Sequence, residues 1–170
     1  MGIFYPITIP EINDGGEFSL ATLSSKVTGV LNSTIHVVKT VVPIDVTIDK
    51  PALFTQPLLQ SSMGVLIGIT GDIRGRLIIE GNPTVFGGVG EIMFGMPLEG
   101  EMLESFTGEF GNMIAGNLST QLSQKGINID ITPPTVLVGQ TKIYGFEKAF
   151  RVPIQVETMG EMQIILMIEM

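Results

Sequence analysis

One plan runs twice along this chain, an amphipathic helix followed by short strands, and then the same again after one intervening helix. A repeat of that kind restricts the fold more than any single residue does. From about Phe18 to Val41, apolar residues recur at helical spacing (Leu20, Leu23, Val27, Val30, Leu31, Ile35, Val38), with Ser19 placed as N-cap. Strand-like runs follow at Ile44 to Ile48, Gly64 to Thr70 and Gly75 to Ile79, the last two joined by a Gly- and Asp-containing turn. Asn82-Pro83 reads as a cap and first-turn proline opening a weak, glycine-rich helix to about Phe94. A longer helix starts at Gly100, with Glu101 and Glu104 at the positive end of its dipole and Gly126 marking its end. Strands come next at Ile127 to Ile131, Ala149 to Glu157 and Met162 to Glu169, the last pair turned by Thr158-Met159-Gly160-Glu161, while Pro133 to Phe146 reads as loop. The expected fold class is α+β, a sheet covered by helices and built as a pseudo-repeat of helix plus three strands. Residues 1–170 form one domain on this reading, with no element assigned to residues 1–16.

The second long helix carries its chemistry on one side. At about 100° per residue, Ser105, Glu109, Asn112 and Gly116 fall within an arc of roughly 60°. Leu103, Phe106, Phe110, Met113, Ile114 and Gln121 gather on the other side, with Asn117 as the polar member among them. A carboxylate and a carboxamide at i and i+3 are close enough to act on one ligand. Gly108, Gly111 and Gly116 lie inside the same helix, and together they cost about 2 to 3 kcal/mol of helix propensity. Glycines placed against propensity mark close approach, either by a partner's backbone or by another element of the same protein. Spacing leaves both open.

Composition excludes several chemistries. Cysteine is absent, which removes disulfides, thiolate nucleophiles and cysteine-ligated metals. Seventeen acidic against nine basic residues give a formal net charge of −8, which argues against nucleic acid and against a free polyphosphate as partner. No Lys or Arg precedes Lys26, apolar runs such as Ile164 to Ile168 are too short to span a bilayer, and Pro6 stands where a myristoylation signal needs Ser or Thr. A soluble, cytoplasmic protein that binds no membrane is expected.

Other features have plainer readings. His36, the only histidine, lacks a nucleophile or acidic orienter at a recognisable spacing and reads as a solvated residue near a helix C-terminus. Gly87-Gly88-Val89-Gly90 fails as a dinucleotide loop because Met93 stands where the third glycine belongs, and no Gly-Lys-Ser/Thr follows. Ten methionines suggest an adaptable groove, but Met93, Met113 and Met167 fit core stripes, so gap-filling is the default. Asp45 and Asp49 share a strand face and read as solvated surface rather than a cation site. No metal site of the chain's own is expected.

Three segments together resemble the CheX branch of the CheC/CheX chemotaxis phosphatases. They are Ser105-x-x-x-Glu109-x-x-Asn112 with Met113-Ile114-Ala115-Gly116, then Asp130-Ile131-Thr132-Pro133-Pro134-Thr135-Val136, and Gly68-Ile69-Thr70-Gly71-Asp72-Ile73-Arg74-Gly75. The resemblance implies a substrate, the aspartyl phosphate of a CheY-type response regulator. It also implies roles: Asn112 positions the attacking water, Glu109 docks on the regulator's lysine, and Ser105 and Gly116 support the contact. Such a pair is a poor hydrolase by itself, since neither residue is an activated nucleophile. It suffices when the substrate brings its own phosphoryl group and Mg2+, because phosphoryl transfer to water depends on positioning and charge neutralisation. Mg2+ is therefore expected in the regulator's active site.

The first helix holds Ser25, Gly29 and Asn32 at the matching spacing, with glycine in place of the glutamate, so it is expected to be catalytically silent. The family resemblance also implies a homodimer. The last strand is apolar at every position from Ile164 to Ile168, a pattern expected when both faces are covered, and its place at the end of the chain suggests a sheet edge through which two copies would pair. Two other function classes stand beside the phosphatase: a binding module that holds a phosphorylated regulator without hydrolysing it, in the manner of flagellar-switch relatives, and a structural interaction domain using the sheet.

Overall fold

In the computed structural model, which describes residues 20–54, 58–60, 62–143, 145 and 149–169, the repeated plan becomes an interleaved sheet under a layer of helices. The first half runs α1 (Leu20–Val41), β1 (Val46–Ile48), β2 (Ala52–Phe54), β3 (Leu58–Gln60), β4 (Met63–Gly71) and β5 (Gly75–Gly81). After α2 (Pro83–Phe94) the second half runs α3 (Gly100–Gln124), β6 (Ile129–Ile131), β7 (Thr135–Val138), β8 (Thr141–Ile143), β9 (Ala149–Val156) and β10 (Gly160–Ile168). Eight strands form one antiparallel sheet in the order β1-β9-β10-β5-β4-β6, with β2 also on β9 and β7 also on β4. Strands β3 and β8 form a separate pair.

This order is nearly the same read from either side. Hairpin β4–β5 of the first half receives β6 and β7 from the second, while hairpin β9–β10 of the second half receives β1 and β2 from the first. The two hairpins meet at β5 and β10, where Ile79 stands opposite Ile164 and Leu77 opposite Leu166. Each half lends strands to the other, so neither completes its sheet alone.

Strand periodicity then decides the two faces. Val65, Ile67, Leu77, Ile79, Val152, Ile154, Ile164 and Leu166 share a buried core with Val30, Leu31, Phe86, Phe110, Ile114 and Leu118 of the helices. Burying each such side chain is worth about 1.5 to 3 kcal/mol. Ile78, Ile165, Met167 and Ala149 form a smaller cluster with Ile143 of β8.

Several expectations need correction. Strand β10 is not an edge: it is hydrogen-bonded between β9 and β5, and its run of apolar residues reflects cover on both faces. Pairing of two copies through it is excluded. The glycine-rich stretch 87–90 is helical within α2 as expected, and glycine stands there because Gly88 packs under the Met159 side chain and Gly90 under Leu98 and Phe106, where a Cβ would collide. Its cap is as expected, with Asn82 Oδ1 accepting from Thr84 N at 3.0 Å. Pro133 to Phe146 is not all loop, since it contains β7 and β8. The proposed cap Ser19 and residues 1–16 lie outside the described residues.

Candidate functional site

Helix α3 is seated by its small residues. A Cβ on Gly111 would stand 2.5 Å from Val65 Cγ1 of β4, and one on Gly108 would stand 3.1 Å from Val136 Cγ2 of β7. These two glycines serve the chain's own packing, letting the helix settle onto the sheet. Phe110 meets Phe86 edge to face at 6.2 Å and lies 5.8 Å from Phe106, which meets Phe94 edge to face at 5.8 Å. Buried Thr107 donates to Leu103 O at 2.8 Å. A helix pinned on this side cannot roll, so its opposite face has one fixed direction.

That face carries the expected residues. Ser105 and Glu109 are exposed, and Asn112 and Gly116 are half-buried. Nothing lies within 4 Å of where a Gly116 Cβ would stand. The third glycine is thus open where the other two are filled, which leaves room for an approaching backbone. At i and i+3, the Glu109 and Asn112 side chains start about 5 to 6 Å apart. This arrangement presents a negative charge and, one turn on, an amide able both to donate and to accept.

The three resembling segments come together in space. The end of β4 pairs with β6, Ile69 opposite Ile131 and Thr70 opposite Asp130. Gly68 N donates to Thr132 Oγ1 at 2.7 Å, and Asn128 N donates to Asp72 Oδ2 at 2.8 Å. Val136, at the end of the second segment, is the residue that Gly108 of α3 packs against. Hairpin and loop therefore brace the helix that displays Glu109 and Asn112.

The core-facing stripe differs from its sequence reading. Asn117 is exposed and donates to Met113 O at 2.8 Å, while Met113 and Gln121 are only half-buried. Helix α2 reaches α3 through Phe86 and Phe94, alongside Phe106 and Phe110. Beyond that point the same side of α3 has lost its cover, and burial passes to Ile114, Ala115, Leu118 and Leu122.

Elsewhere the motifs separate. On α1, Gly29 faces open space and Asn32 is half-buried, whereas the Ser25 side chain lies outside the described residues. His36 is exposed. Asp45 and Asp49 are exposed, with Gln155 Nε2 donating to Asp49 Oδ2 at 3.3 Å. Among the described residues no group of three or more His, Asp or Glu is placed to hold a metal ion, and no helix is long and apolar enough to cross a membrane.

Two features escaped the sequence reading. Phe94, Met96, Leu98, Met102 and Phe106 line a groove of about 470 Å³ that Ser105 and Glu109 also border. The methionines that form it are Met96 and Met102, not the three assigned to core stripes. Glu80 of β5 is the second: it is only 8% exposed, and its Oε2 has no hydrogen-bond partner among the described residues. Burial raises its carboxyl from 4.5 to about 6, against the opposing pull of Arg151. A buried acid on a strand has no periodic signature.

A protein-family model described as "Chemotaxis phosphatase CheX" matches residues 63–151. A curated relative, the CheY-P phosphatase CheX of Thermotoga maritima, is 35% identical over 134 residues, covering 76% of this chain and 86% of that one. A CheC-like superfamily protein from Shewanella sp. PV-4 superposes with a TM-score of 0.71 at 26% identity, covering 85% of this chain and 97% of its own. The CheX of the CheX–CheY–BeF3–Mg2+ complex from Borrelia burgdorferi has the same fold, with a TM-score of 0.70 at 24% identity over 85% of this chain and 97% of that one.

Proposed function

Because this chain belongs to the CheX family of chemotaxis phosphatases, we propose that it dephosphorylates the phosphoaspartate of a CheY-type response regulator, using the exposed face of α3. The observation that carries the reading is the orientation of that face. Glu109 and Asn112 stand side by side on a helix locked to the sheet by Gly108 and Gly111, with open space along it at Gly116. The curated Thermotoga relative is named for hydrolysis of CheY-P, and the Borrelia relative was solved with CheY, BeF3 and Mg2+.

Each side chain has one task. The Asn112 amide holds a water in line with the phosphorus by one hydrogen bond, converting a bimolecular attack into a positioned one. Glu109 pairs with a lysine of the regulator, a charge-assisted contact that fixes the register between the two proteins. Ser105 and Gly116 border the contact, the first as a hydroxyl and the second as space. Mg2+ belongs with the regulator: one carboxylate, one carboxamide and one hydroxyl on an open helix face are too few oxygen ligands to hold it. Supplied there, Mg2+ neutralises phosphoryl charge. With a response regulator as substrate, the protein works in the cytoplasm.

The test is the lifetime of the phosphorylated regulator with and without this protein. Shortening that saturates with regulator concentration supports the phosphatase. An unchanged lifetime in the presence of measurable binding refutes it in favour of a binding module.

A further inference from the structure

The groove beside Glu109 has no part in the chemistry just described, yet it gathers three of the five large hydrophobic residues exposed among the described residues. Phe94 is 61% exposed, Met102 52% and Met96 48%, all at the end of α2, the following turn and the first turns of α3. Its floor is buried Leu98 and Phe106. Apolar patches of this kind on a soluble protein mark an interaction surface. Two observations say what covers it.

The first is continuity. Ser105 and Glu109 border the groove and also belong to the displayed face of α3, so a partner seated on Glu109 cannot avoid the groove mouth. The second is charge. From Leu77 to Gln124 the chain contains no Lys or Arg, while Glu101 and Glu109 line the groove and Glu91, Glu99 and Glu104 lie on the same stretch of chain. An apolar slot bordered by the Glu101 and Glu109 carboxylates fits an apolar side chain flanked by cations, and it repels an acidic surface.

We propose that this groove receives an apolar side chain flanked by Lys or Arg on the phosphorylated response regulator, and that it selects and holds the regulator while Asn112 performs the chemistry. The inference rests on the regulator being the substrate. Flexible methionines line a slot that adapts to the entering side chain, and Phe94 supplies a rigid wall. Contact energy made equally in the ground and transition states sets KM rather than kcat.

Met96→Lys and Met102→Lys test this at exposed positions, where the fold tolerates change. Steady-state turnover of the phosphorylated regulator should show KM raised tenfold or more in each variant, with kcat within about twofold of wild type. Calorimetry with the beryllofluoride-activated regulator should show the same loss of affinity. If wild-type protein turns the regulator over and both variants match its KM, the groove proposal fails and the phosphatase reading stands. If the variants alter the oligomeric mass but not KM, the groove belongs to a second copy and the proposal is again overturned. A wild-type protein that neither binds nor turns over any phosphorylated regulator sinks both readings together.

Discussion

Replacing Glu80 by Gln should stabilise the protein at neutral pH and do so progressively less as the pH falls. Glu80 is buried on the central strand β5, with one carboxylate oxygen unpartnered among the described residues. In the folded protein the carboxyl is pushed up to about 6 from its ordinary 4.5, with desolvation as the larger cause. For an acid shifted upward, the folded state binds the proton more tightly than the unfolded chain does. The stabilising contribution is therefore complete below 4.5 and is lost as pH rises through 6. The difference corresponds to about 2 kcal/mol above that window. Glutamine keeps the shape and removes the titration, so the difference between variant and wild type should open by about 2 kcal/mol from pH 4 to pH 7. At this chain length that is roughly 4 to 8 °C in Tm. Urea unfolding of both proteins at several pH values measures it. Any fixed cost of the amide cancels in the pH dependence. A stability difference that stays constant across this range would show that the Glu80 carboxylate is solvated or paired in solution.

Three further outcomes are expected. Gly111→Ala should cost about 1 to 3 kcal/mol in denaturant unfolding because its Cβ meets Val65, whereas Gly116→Ala, in open space, should gain up to about 1 kcal/mol from helix propensity while raising KM for the regulator. Asn32→Ala should leave turnover within about twofold, roughly 0.4 kcal/mol, since α1 has Gly29 where α3 has Glu109, and a tenfold loss would reveal a second working site. The protein should be a homodimer that pairs through surfaces other than β10. Light scattering giving a mass twice the 18.3 kDa chain checks this, and a single-chain mass at micromolar concentration removes it.

Legibility in the sequence tracked the range of the interaction. Helices α1 and α3 declare themselves because their apolar positions repeat locally, and the Asn82-Pro83 cap is a matter of adjacent residues. The interior place of β10 depends on strands exchanged between the two halves, and an apolar run alone does not distinguish a central strand from an edge. Strands β2, β3, β7 and β8 span three or four residues each, too few for a period to register. The glycines of α2 oppose helix propensity, and only Met159, Leu98 and Phe106 pressing on Gly88 and Gly90 explain why glycine stands there. At the site, Ser105, Glu109, Asn112 and Gly116 were legible as one face through simple rotation. The groove was not, because Phe94, Met96 and Met102 come from a helix end, a turn and a helix start that only the fold brings together.

The claim that Asn112 does the chemistry and Glu109 the docking is tested most directly by Asn112→Ala. Phosphoryl loss from the regulator and affinity for its beryllofluoride form should be measured on the same preparation. Turnover should fall to the regulator's own rate while affinity stays within a few-fold of wild type; Glu109→Ala should weaken the complex as well, by a charge-assisted contact of about 1.5 to 3 kcal/mol. An Asn112→Ala protein that binds normally and still hydrolyses the phosphoaspartate at the wild-type rate would contradict the account, because the water would then be positioned by something other than the face of α3.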